Sequence, residues 1–156
     1  MKDVSIIIYV LTLMLFTTLQ CSQAQGKEED IIPMLKQFYV EYNSAWENTE
    51  NMLKLKDKLI SLEKEYCTEE LQNKLMKFYK TYGMDHDYFM DDLGTDTLTM
   101  RNTIIITKDS SENEAYTVSF LATIVDDPWS EAYQKKVTIH LTVKKENGSY
   151  KIDDIQ

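Results

Sequence analysis

Two cysteines and two histidines are the whole supply of thiol and imidazole in this chain. That shortage removes several kinds of site. Cys21 lies just after an apolar leader and Cys67 in the body, so the body has no second thiol and no internal disulfide. Structural zinc takes four nitrogen or sulfur ligands, and His86, His140 and Cys67 are far apart in the chain. Positive charge is also scarce: 17 Lys and Arg stand against 26 Asp and Glu, a formal net charge of -9. With an isoelectric point near 4.7, the chain repels polyanions. That excludes nucleic acid and anionic membrane surfaces and leaves a basic partner open. No apolar run is long enough to cross a bilayer comfortably, and there is no internal repeat or low-complexity linker.

The longest apolar run, residues 4–16 (VSIIIYVLTLMLF), follows Lys2 and reads as an export signal. Ser22-Gln23-Ala24 places small residues before a cut at Gln25. Lipidation of Cys21 competes, but Gln20 stands where a lipobox needs a small residue. Cleavage after Ala24 is the preferred reading. It divides the chain into a signal peptide, residues 1–24, and one domain, residues 25–156, large enough for its own core. The product would be periplasmic or secreted.

Periodicity sets the order of elements. Residues 30–47 read as a helix, with Ile31, Leu35, Phe38, Tyr42 and Ala45 on one face. Thr49 is the expected cap of a second helix with a seam of Met52, Leu55, Leu59, Leu62 and Tyr66, and with Glu63 among the solvated residues. Thr68 caps a third helix whose inward face is Leu71, Leu75, Phe78 and Tyr82, and Gly83 stops it. An Asp-rich link follows, with Phe89, Met90 and Leu93 tucked into the core. From Leu98 the period changes to two. Strands are expected over Leu98, Met100, Ile104 and Ile106, then over Val118, Phe120, Ala122 and Ile124, then over Val137, Ile139, Leu141 and Val143. Asn147-Gly148 supplies a two-residue type I′ turn, which sets Val143 opposite Ile152. Continued without a break, this register puts Asp154 on the apolar face. A bulge at Asp153-Asp154 is therefore expected, returning Ile155 to the core beside Leu141. Helices first and a meander after predict an α+β fold, N-terminal helices packed on a curved antiparallel sheet.

The segments FYVEYNSAWEN, LEKEYCTEELQNKL, MDHDYFMDD and SYKIDDIQ resemble a family of small exported Bacteroidetes proteins, domain of unknown function 3828. That family belongs to the wider nuclear-transport-factor-2-like, cystatin-like group. The resemblance covers nearly all of the chain after the signal peptide. It implies a cone, a bent sheet wrapped round helices with a pocket between them, and no established catalytic residues. Isomerases and dehydratases of the wider group place Asp, His and Tyr in that pocket. The exposed sheet face of such cones often mediates dimers, so a homodimer is a further expectation.

Four groups of residues could carry function. Asp85, Asp87, Tyr88 and His140 could form a proton-transfer site, with an Asp as base and Tyr88 donating to an oxyanion; a solvated acidic loop capping its own amides explains the aspartates equally. Asp85, Asp87, Asp91 and Asp92 offer oxygens to calcium without the spacing of an EF-hand loop. Tyr39, Tyr42, Trp46, Tyr79, Tyr82 and Phe89 could line a pocket for an apolar ligand, although core packing accounts for the same spacing. Trp129 and Tyr133, if exposed, would anchor a protein partner. Cys67 reads as a small buried hydrophobe, with a reactive thiol as the alternative because Thr68 opens a helix just after it. The leading expectation is an exported, non-catalytic module that binds a small apolar ligand or a protein, an immunity or inhibitor protein being one version. A proton-transfer enzyme and a surface lipoprotein anchored through Cys21 are the alternatives. No cofactor is expected.

Overall fold

The computed structural model describes residues 30–83, 87–91, 94–109, 114–125, 129 and 131–156. Residues 1–29 with Cys21, the residues Asp85, His86, Asp92 and Leu93, and the segment 126–128 lie outside the described residues. Four helices precede a four-stranded antiparallel sheet that is not closed. The fold is α+β.

Helix α1 runs over residues 30–47 and buries the face carrying Ile31, Leu35, Phe38, Tyr39, Tyr42 and Ala45. Helix α2, Met52–Tyr66, is capped by Asn51 rather than Thr49: the Asn51 side chain accepts from the amides of Leu53 (3.0 Å) and Lys54 (3.1 Å). Asn outranks Thr at this position, and the Thr49 hydroxyl instead accepts from Lys58 Nζ at 2.9 Å. The expected seam also shifts. Met52 is 54% exposed, while Glu63, placed by its charge on the solvated side, is buried. Glu63 lies four residues beyond Leu59, itself four beyond Leu55, so it continues their stripe. Helix α3, Glu69–Tyr82, has the expected ends: Thr68 accepts from the Leu71 amide, and Gly83 follows at φ 76. Its inward face stops short, because Tyr82 is exposed.

The strand expected from Leu98 begins with a helix. Helix α4, Thr97–Thr103, is nucleated at Asp96, whose carboxylate accepts from the Thr99 amide at 2.9 Å. Glu47 at the end of α1 takes both the amide and the hydroxyl of Thr97. The local Asp96 cap and the distant Glu47 bonds together outweigh an alternation that is also half helical: Met100 and Ile104 are four apart and buried, whereas Leu98 is exposed.

Strands β1 (Ile105–Lys108), β2 (Ala115–Ile124), β3 (Tyr133–Glu146) and β4 (Ser149–Ile155) form a meander in chain order. The closing hairpin has the expected register, with Lys145 opposite Tyr150 and Val143 opposite Ile152. Asn147 (φ 51) and Gly148 (φ 90) make the turn. The register shifts between Val143 and Thr142, so Thr142 faces Asp154 and Leu141 faces Ile155, which is buried. The extra residue is Asp153. It accepts from the Thr68 hydroxyl at 2.9 Å, and Cys67 makes a parallel bridge to Ile152. The α2–α3 junction is thus bonded directly to the last strand. The core lies between the helices and one sheet face; Tyr39 of α1 meets Phe120 of β2 with 6.4 Å between ring centroids.

Candidate functional site

Two residues, Cys67 and Thr68, join α2 to α3, so the helices are neighbours and turn stripes of side chains toward one groove. Lys56, Ile60, Glu63 and Lys64 come from α2; Gln72, Met76, Tyr79 and Lys80 come from α3. The three-to-four spacing within each set is one helical face. The groove has a volume of about 470 Å³ and a mainly apolar lining. Glu63 is its one acidic lining residue and is only 4% exposed. The Tyr79 hydroxyl donates to Glu63 Oε1 at 2.6 Å. Burial pushes the Glu63 carboxyl up to about 7; the Tyr79 hydrogen bond opposes the shift and the charge of Asp87 adds to it. The Tyr79 hydroxyl is itself held well above its usual range by burial and then by Glu63. Behind this pair stand Tyr42 and Tyr39, both buried and both raised by burial first and Asp87 second. A carboxyl that titrates near neutrality can hold or release a proton beside whatever occupies the groove.

Asp87 is half-buried, and its carboxylate accepts from the amides of Phe89 (2.9 Å) and Met90 (3.1 Å), fixing the turn that buries both side chains. Tyr88 packs on Phe78 at 5.1 Å, with Lys74 Nζ 5.8 Å from its ring. His140 alternates with the buried Ile139 and Leu141, so it faces away from the helices, and its Nδ1 lies 3.1 Å from Thr117 Oγ1. Asp87, acting on the helix-side tyrosines, and His140 therefore occupy opposite sides of the sheet. Asp91 is exposed, at φ 51. No group of three or more His, Cys, Asp or Glu among the described residues is placed to hold a metal ion.

Of the expected pocket residues, Tyr39, Tyr42 and Phe89 are fully buried. Phe38 stacks against all three at 4.8–5.4 Å, and they fill the core rather than line the groove. Trp46 is half-buried, and Tyr82, 59% exposed, lies against Phe78 at 4.9 Å. Trp129 is 94% exposed and Tyr133 47%. The Cys67 thiol is buried, and burial pushes it far above its usual range, which removes its nucleophilicity. Tyr79, an expected pocket residue, does line the groove, whereas Ile60, Glu63 and Met76 had no place among the sequence candidates. The usable signal was the four-residue step from Leu59 to Glu63.

No family model and no curated protein matches the sequence. Among solved structures the chain is similar to a protein of unknown function from Bacteroides thetaiotaomicron, with a TM-score of 0.71 and 22% identity. The match covers 90% of this chain and 98% of that one. This likeness is one of fold.

Proposed function

We propose that the protein is a non-catalytic binding module for a small, largely apolar ligand held between α2 and α3. The supporting observation is the groove of about 470 Å³ with a mainly apolar surface, within the usual size of small-molecule sites, and with Glu63 and Tyr79 among its polar groups. The Glu63–Tyr79 bond fixes those polar groups in place, so a ligand meets a preformed surface. The probe is 8-anilinonaphthalene-1-sulfonate, whose fluorescence rises on leaving water. It saturates at one site per chain, and Met76→Glu weakens it about tenfold or more by charging the apolar wall. Met76 is 55% exposed, so the variant keeps its fold, checked by circular dichroism. Equal binding by the variant and the parent protein defeats the proposal.

A further inference from the structure

The rim of the groove tells what kind of molecule enters it. Lys56, Lys64 and Lys80 line it, and none of them forms an ion pair among the described residues. Among the described residues Glu63 pairs with none of them either; its hydrogen-bond partner is Tyr79. Three cations thus line one groove on a chain of net charge -9. Within a Debye length of about 8 Å, a small ligand feels these local charges rather than the distant acidic surface. Below the rim, Ile60, Met76 and the Tyr79 ring give an apolar wall. An ammonium rim above an apolar slot complements an anionic head on an apolar tail. The volume suits a single short chain, and the overall charge opposes docking on an anionic bilayer.

We infer that the groove takes a free single-chain anionic amphiphile, its head among Lys56, Lys64 and Lys80 and its tail over Ile60, Met76 and Glu63. The inference rests on the binding reading above. A tail laid over Glu63 removes the remaining water from a carboxyl already only 4% exposed, and a desolvated carboxyl keeps its proton. The groups that face Glu63 are Tyr42 from α1, Tyr79 and Lys80 from α3, Asp87 from the following turn, and Lys56, Lys64 and Cys67 from its own element and end. Glu63 is the one whose carboxyl titrates near 7. Binding therefore takes up a proton on Glu63, and affinity falls as pH rises through neutrality.

The test is isothermal titration calorimetry of the full chain with octanoate, octan-1-ol and octyltrimethylammonium at pH 6.0 and 8.5, each in two buffers of different ionisation enthalpy. Octanoate stays ionised across this range. The expected order is octanoate above octanol above the cation. Octanoate binds about tenfold more weakly at pH 8.5, with proton uptake at pH 7. Glu63→Gln abolishes both the pH dependence of octanoate binding and the proton uptake. The combined Lys56→Gln, Lys64→Gln and Lys80→Gln variant loses the preference for octanoate over octanol. Equal binding of the three probes overturns the inference and leaves the binding reading standing, as does pH-independent octanoate binding. Capture of the protein by anionic vesicles with no binding of octanoate also overturns it. Failure of every probe, together with the anilinonaphthalene sulfonate, overturns both.

Discussion

Glu63 is the residue on which the protein's chemistry turns, and its burial has a thermodynamic sign. Its carboxyl is raised from 4.5 to about 7 in the folded chain. The native state thus binds more protons than the unfolded state between those values. The stability this group contributes is complete below about pH 4.5 and is lost as pH rises through 7, a loss of ~3 kcal/mol. Glu63→Gln keeps an acceptor for Tyr79 and has no charge to bury. Urea unfolding at pH 5 and pH 8 is expected to show the parent protein losing roughly that amount more than the variant. Parallel pH dependence of the two proteins contradicts the assignment. The sequence concealed this residue because a charged type was read as a solvated one. The spacing Leu55–Leu59–Glu63 held the correct message, and burial of the carboxyl against Tyr79 is a tertiary fact that spacing alone does not supply.

At the scale of elements, legibility followed whether the deciding bonds were local or distant. The hairpin was readable to the residue, bulge included, because Asn147-Gly148 fixes a register and an aspartate on the apolar face demands a correction. Helix α4 was misread as strand because one of its supports comes from Glu47, fifty residues earlier. The N-cap of α2 was misplaced by two residues within a polar stretch where Thr49 and Asn51 both qualify. Asn51→Ala should lower stability by ~1 kcal/mol in chemical denaturation, and Thr49→Ala by about half of that or less. The reverse ranking would return the cap to Thr49.

For the whole molecule, helices first and an antiparallel meander after were legible from the change of period, α4 excepted. The position of the groove was not. The resemblance implied a pocket between helices and sheet, but Tyr39, Tyr42 and Phe89 are buried in that space, and the groove described above lies between two helices whose facing stripes look like ordinary surface. Helices and sheet are also bonded as one body. The Thr68 hydroxyl caps α3 and donates to Asp153, and its amide donates to Ile152 O at 2.9 Å. Thr68→Val removes the two side-chain bonds at constant shape, an expected cost of ~2 kcal/mol. Far-UV and near-UV circular dichroism are expected to move down together in a single transition. Separate melting of helix and sheet signals would show that the junction does not couple them.

The Cys67–Ile152 bridge joins the middle of the chain to its final strand. A polypeptide made from its N-terminus acquires that strand last. During synthesis the α2–α3 junction has helices but no strand to receive Thr68, and the loop that must close spans most of the domain. A chain cut short before Ile152 therefore carries an α2–α3 junction with no strand to fasten it.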